Sequence, residues 1–316
     1  MHSEVRSFAD IQQHAGAILD WTQVYEQLER GDMSSQLRQI SANRFQIFQE
    51  ILNRRLVQHG NAPDGRLCIA ILVDKGRIPV VQGMEIGANS VVLLRGGEEF
   101  LLHAPKGMNL LAVSLDSDRF EQLAELNLSA EQHKLLETAS QIDVPGELHR
   151  RIQNQISDVF EYLLALPEAD NRDALEKVFE DMIIEAFLDL FSNSMETSRS
   201  KRRNYAVCAY LVKRSRELAL DRANVPTSVI GLCQDLGVSR RTLQNSFQTV
   251  TGTRPVEYLR NLRLNGVRRK LINTSADDVK VGDVAADFGF QHLSHFATYY
   301  CELFGELPSD TPRADG

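Results

Sequence analysis

Between positions 240 and 247 the chain sets Arg240, Arg241, Gln244 and Asn245 around two apolar residues, Leu243 and Phe247. If this stretch is a helix, the apolar pair shares one side and the guanidinium and carboxamide groups point away from it. Those groups are suited to bidentate hydrogen bonding, Arg with the major-groove edge of guanine and Gln or Asn with that of adenine. A second set, His292, Ser294, His295 and Thr298, surrounds Phe296 in the same way. Imidazole and hydroxyl groups pair with several bases, so the first set is expected to be the stronger sequence reader. Thr251, Thr253, Arg254, Arg260 and Lys270 are candidates for phosphate contacts, which position a protein on a duplex without reading it.

Other chemistries lack their residues. His292 and His295 are three apart and could share one helical face, but no acidic or cysteine partner stands at ligand spacing, so no metal site is expected. His103 is the lone histidine of a strand-rich region, and Glu85, Glu98 and Glu99 do not form a His-x-His constellation with it. That argues against a metal-dependent barrel enzyme. The four cysteines, Cys68, Cys208, Cys233 and Cys301, are scattered, with neither Cys-x-x-Cys spacing nor a dense framework, and are expected to be reduced and mostly buried thiols. A DNA alkyl-transfer protein would need a reactive cysteine and a clustered cysteine zinc site. No catalytic residues and no cofactor are assigned, and the chain is read as a non-enzyme.

The elements that must position the two sets are repeated. Val229, Leu232, Cys233, Gly237, Val238, Leu243, Phe247, Gly252 and Pro255 recur as Val281, Val284, Ala285, Gly289, Phe290, Phe296, Tyr300, Gly305 and Pro308. The offset is 52 residues before the turn and 53 after it, which means that the second turn holds one extra residue. Each copy reads as a helix-turn-helix. Gly237 and Gly289 provide the positive φ that ends the first helix, and Cys233 and Ala285 keep the helix crossing narrow. Ser239 and Ser294 are expected near the starts of the second helices as caps.

This repeat resembles the DNA-binding domain of the AraC/XylS transcription regulators over roughly residues 204 to 310. The resemblance is carried by Gly289-Phe290, by Gly252-Thr253-Arg254-Pro255 and Gly305-Glu306-Leu307-Pro308, and by Arg263-Leu264 on a helix expected from Pro255 to Ile272. Cys233 and Val267 depart from the alanine usual in that family, and both are small enough to pack. Gly266 inside the connecting helix implies close packing or a bend. The resemblance implies double-stranded promoter DNA as the partner, RNA polymerase if the protein is an activator, a homodimer, and control by a small-molecule effector or partner at the first domain.

The net charge of −8 is unevenly divided: residues 200 to 316 hold 17 Lys and Arg against 12 Asp and Glu, and residues 1 to 199 hold 18 against 31. A basic end beside an acidic body fits one domain that neutralises phosphates and another that does not. No apolar run approaches the ~20 residues that span a bilayer, and no leader pattern opens the chain, so no membrane partner and a cytoplasmic location are expected.

The length suggests two domains. Residues 8 to 30 are expected as a short helical lead-in, followed by a hairpin turning at Ser41-Ala42-Asn43. Leu67 to Val73, Ile78 to Val81, Ser90 to Leu94, Glu99 to His103 and Asn109 to Leu115 then read as short strands. Spacing of this kind suggests a barrel or sandwich, which the family resemblance makes cupin-like. Helices are expected around Phe120, from Ser129, from Pro145 to Leu166, from Asn171 to Phe191 and from Tyr205 to Leu220, where Thr227 would cap the next. The wide apolar stripes of the two longest are either core or a dimer seam. The expected architecture is α+β: residues 1 to 195 a regulatory and dimerisation domain, 196 to 204 a linker in which Lys201-Arg202-Arg203 could touch phosphate, and 205 to 316 an all-α domain of two helix-turn-helix units.

Overall fold

The computed structural model describes residues 1–73, 78–166, 173–193, 199–221 and 228–314. The first 143 residues are dominated by strands. In chain order these are β1 (His2–Phe8), β2 (Thr22–Gln27), β3 (Ser35–Ser41), β4 (Phe45–Leu52), β5 (Leu56–Asn61), β6 (Arg66–Leu72), β7 (Val80–Val81), β8 (Met84–Glu85), β9 (Ser90–Arg95), β10 (Glu99–Ala104), β11 (Met108–Asp116) and β12 (Gln141–Asp143). One sheet runs β1-β3-β4-β11-β6-β9-β12 and the other β2-β5-β10-β7-β8, with antiparallel pairing throughout. Among the described residues no strand of one sheet pairs with the other, so the expected barrel or sandwich resolves to two facing sheets and not a closed barrel. Leu37, Phe48 and Leu110 from the larger sheet meet Tyr25, Leu56 and Phe100 from the smaller in one buried core. The central strands of the larger sheet are buried along most of their length, because helices cover one face and the smaller sheet the other.

Residues 8 to 30 form strand β1's end, the five-residue helix α1 (Ile11–Ala15) and strand β2, not a helical lead-in. Asp10 starts α1 by accepting from the N–H groups of Gln12 and Gln13, both at 2.8 Å. After that one turn, Thr22 to Gln27 finds more pairing along β5 than a short helix could supply, and propensity yields to tertiary pairing. The hairpin β3–β4 turns where expected, with Ala42 N–H donating to Phe45 O at 2.9 Å.

Helices α2 (Ser117–Asn127), α3 (Ala130–Thr138), α4 (Gly146–Ala165) and α5 (Asp173–Ser192) follow. Ser129 and Gln132 form a reciprocal capping box at the start of α3. Most of the wide stripes of α4 and α5 are core: Ile152, Ile156, Leu163, Ile183, Phe187 and Leu190 pack on Ile69, Leu93 and Leu115 of the larger sheet. Tyr162, Val178 and Met182 are the large apolar side chains of these helices left exposed.

Helix α6 (Arg199–Asp221) begins inside the stretch expected as a linker. Positions 194–198 and the turn with Thr227 lie outside the described residues, as do the side chains of Lys201, Arg202 and Arg203. Leu211 and Val212 on α6 share a core with Val57, Val80 and Leu101 of the smaller sheet and with Leu232, Leu243 and Phe247 beyond. The two halves of the chain are therefore packed through α6. The rest is helical: α7 (Val229–Leu236), α8 (Arg240–Thr251), α9 (Pro255–Ile272), α10 (Val281–Asp287) and α11 (Leu293–Phe304). Among the described residues no helix is long and apolar enough to cross a membrane.

Candidate nucleic-acid interface

The repeat read from the sequence is a repeat of structure. In the first unit Val238 N–H donates to Cys233 O at 3.0 Å, and in the second Phe290 N–H donates to Ala285 O at the same distance. Gly237 and Gly289 take φ of 64° and 76°, the left-handed conformation that reverses the chain between helices. Three residues separate α7 from α8, whereas five separate α10 from α11: one is the added residue, and the other arises because α10 ends one residue earlier than α7. Leu243 and Phe247 are fully buried under α8, and Phe296 and Tyr300 are almost so under α11.

With those faces inward, Arg240, Arg241, Gln244 and Asn245 are all exposed on the first two turns of α8. Ser239 caps this helix, accepting from Thr242 N–H at 3.1 Å. The second set is exposed too: His292, Ser294, His295 and Thr298. Ser294 does not cap α11. It lies one residue inside the helix, at the repeat position of Arg241, and His292 occupies the capping position that Ser239 has in the first unit, without a side-chain cap bond. Thr298 donates its hydroxyl to Ser294 O at 3.0 Å, so that side chain is partly satisfied within its own helix.

The phosphate candidates divide. Thr251 and Thr253 are buried, 2.8 Å apart at their hydroxyls, and Thr251 donates to Phe247 O at 2.7 Å. These threonines build the end of α8 and are removed from the phosphate set. Their hydroxyls satisfy the last turn of α8 from inside. Arg254 is exposed at the N-cap of α9. Arg260 lies over the Tyr299 ring at 4.1 Å, and Lys270 pairs with Asp287 at 2.5 Å, so each already has a partner that a phosphate would have to share.

Gly266 is explained by packing. A Cβ there would stand 2.3 Å from Phe288 Cε1, so the ring from the second turn rests directly on the α9 backbone. Asn261 and Asn265, which the sequence reading passed over, are 4% and 1% exposed on the same helix and bond to the first domain. Two buried amides at i, i+4 on an otherwise apolar helix face were the available signal.

Glu26, on β2, faces Arg216 of α6 at 3.3 Å and His59 at 3.8 Å. Burial opposes its ionisation, but Arg216 and His59 outweigh it and hold the carboxyl down to about 2. His103 sits in the same packed layer. Burial, aided by the charge of Arg216 and opposed by Glu26, lowers it to about 3, and neither ring nitrogen has a hydrogen-bond partner among the described residues. His103 thus faces an ion pair between the domains. His292 and His295 stand edge to face, 6.2 Å between centroids. The group of three possible ligands found among the described residues is elsewhere, Glu121, His133 and Glu137, where His133 pairs with Glu137 at 3.4 Å and both glutamates are exposed. All four cysteines are free; burial pushes the Cys68 thiol up to about 12, while Cys301 is exposed, contrary to expectation for a mostly buried set.

The helix-turn-helix domain family matches residues 232–314. The chain carries an AraC/XylS-type helix-turn-helix domain. A XylDLEGF operon transcriptional activator of Pseudomonas putida is 45% identical over 76 residues, 24% of this chain and 24% of that protein. The XylDLEGF operon transcriptional activator 3 of the same organism is 30% identical over 153 residues, 48% of this chain and 45% of its own length. The matches thus span about a quarter to a half of these curated relatives. Among solved structures, the AraC-like transcriptional activator CuxR aligns with 90% of this chain and all of its own, at 11% identity and a TM-score of 0.46.

Proposed function

We propose that this protein is a sequence-specific, DNA-binding transcription regulator that reads promoter DNA with α8 and α11 and is not an enzyme. The observation that carries this reading is the exposure of Arg240, Arg241, Gln244 and Asn245 on the leading turns of a capped helix whose other face is fully buried. A helix so presented enters the major groove with its outward side chains at the base edges. α8 supplies most of the discrimination, and His292, Ser294, His295 and Thr298 on α11 supply less. Arg254 contacts phosphate, with Arg260 and Lys270 as further contacts once they share their present partners. The protein acts in the cytoplasm, and if it activates transcription it also meets RNA polymerase. The relatives' printed role as operon activators supports the regulatory reading.

The first domain, residues 1 to 195, is proposed to form the homodimer and to receive any effector. With the stripes of α4 and α5 largely committed to core, the seam left for a second copy is the patch of Tyr162, Val178 and Met182. A cavity of about 50 Å³ lies between the sheets, lined by Trp21, Phe48 and Phe100 with Gln23, Glu50 and Gln58 among its polar residues. That is well below the ~150 Å³ that takes up a benzene, so an effector would have to part the sheets to enter. The test is selection of genomic duplex fragments by the purified full chain at low salt. Enrichment of a common sequence is expected, and uniform recovery of all fragments would overturn the reading.

A further inference from the structure

Strand β2 is the outer strand of the smaller sheet and pairs with β5 on one side only. A free strand edge normally presents unpaired N–H and C=O groups. At the C-terminal end of β2 a helix of the other domain satisfies them. Gln27 N–H donates to Asn265 Oδ1 at 2.9 Å, and Asn265 Nδ2 donates back to Gln27 O at 3.0 Å. One turn earlier on α9, Asn261 Nδ2 donates to Leu28 O at 3.1 Å. The carboxamide of Asn265 matches both the N–H and the C=O of one residue and that of Asn261 meets the next carbonyl, which explains why two buried asparagines stand where leucine would suit a helix better.

The same edge and the loops beside it also reach both helix-turn-helix units. Arg55 Nη1 donates to Gly252 O, the C-cap of α8, at 3.2 Å. Gln27 Nε2 and Gly31 N–H donate to Leu303 O in the last turn of α11, at 2.7 and 3.1 Å. Arg268 on α9 is shared between Asp10 of the first domain and Glu306 just past α11. All these contacts fall on α9 or at the C-terminal ends of α8 and α11. The exposed leading turns of both helices are left uncovered.

We propose that the first domain is a brace that fixes the spacing and orientation of the two DNA-reading helices, with Asn261 and Asn265 as positioning residues that touch no DNA. This rests on the DNA-binding reading above. One body gripping the backs of α8, α9 and α11 removes the freedom by which two units on one connecting helix could adapt to differently spaced sites. The brace therefore sharpens selection among spacings without changing which bases are preferred within each half of the site.

The experiment uses the full chain and the duplex that it selects, with derivatives carrying one or two extra base pairs between the segments read by the two units. Wild type should lose at least about tenfold in affinity per inserted pair. Asn261→Ala with Asn265→Ala should bind the parent duplex within about threefold of wild type, keep its single-base preferences, and lose only about twofold to threefold per insertion. Arg55→Ala, at a half-buried side chain outside the hydrophobic cores, should fall between them. Insertion losses in the double variant equal to those of wild type would overturn the brace and leave α9 alone as the spacer. Docking is read without DNA by amide exchange at Gln27, slow in wild type and fast in Asn265→Ala while the central strands stay protected. Fast exchange at Gln27 in folded wild type would overturn the brace even where selective DNA binding holds, whereas failure to select any duplex would overturn the functional reading on which it rests.

Discussion

The two helix-turn-helix units share a scaffold and differ in what they present. Both turn on a glycine with positive φ, both repeat the same backbone bond after it, and both bury two aromatic or aliphatic anchors under the second helix. The first unit then exposes two arginines and two carboxamides from a helix with a serine cap. The second begins without a side-chain cap and exposes imidazoles and hydroxyls, one of which is spent on its own helix. The difference teaches that duplicated packing does not imply duplicated reading. Fold is held by the inward positions, which are alike, and discrimination by the outward ones, which are not.

Truncating the anchors should show the likeness first. Phe247→Ala and Phe296→Ala, at 0% and 2% exposure, should each destabilise the fold by about 3–5 kcal/mol in denaturant titration. A loss below about 1 kcal/mol in only one of them would break the claim of a shared scaffold.

Acid should separate the units next, because Glu26 and His103 lie against α6, which packs on the first unit. Glu26, held at about 2 when folded against 4.5 ordinarily, contributes stability that is complete above 4.5 and is lost as pH falls towards 2. The loss is about 3 kcal/mol in all. His103, lowered to about 3 from 6.5, is protonated first in the unfolded chain, so stability falls in the same direction from 6.5 downward, by up to ~1.4 kcal/mol per pH unit. Urea midpoints between pH 7 and 4.5 should therefore drop in wild type and drop less in His103→Leu. Equal slopes in the two proteins would show that His103 is not held neutral by its surroundings.

Much of the DNA-facing half was legible in the sequence because each of its signals is local. Leu243 with Phe247, the glycines after α7 and α10, and Pro255 at the first turn of α9 each act within a few residues. α9 accordingly has the bounds Pro255–Ile272 expected for it. Strands β1, β2 and β5 were missed because they are defined by partners far along the chain and lack a clean period of two. β12, three residues long, is too short to carry a pattern. Thr251 and Thr253 misled because a hydroxyl beside a turn reads the same whether it faces solvent or the last turn of a helix. The docking of β2 against Asn261 and Asn265 joins residues more than 230 positions apart, and no periodicity records it.

A smaller effect should distinguish reading from holding within the first unit. Arg254→Ala, if its guanidinium lies on phosphate, should weaken binding to every sequence alike, by less than about 1 kcal/mol, and make the salt dependence shallower by about one unit. An unchanged salt slope would remove Arg254 from the interface.

Whether α8 is the principal reader is decided by one affinity profile: full-length protein and Gln244→Ala measured on the selected duplex and on its single-base variants at fixed salt, with circular dichroism confirming equal folding. Gln244→Ala should lose about 1–3 kcal/mol of discrimination at one or two base pairs and keep its preferences elsewhere, and His295→Ala should change them less. An equal loss on every sequence for Gln244→Ala, or a larger loss of preference for His295→Ala, would contradict α8 as the principal reader.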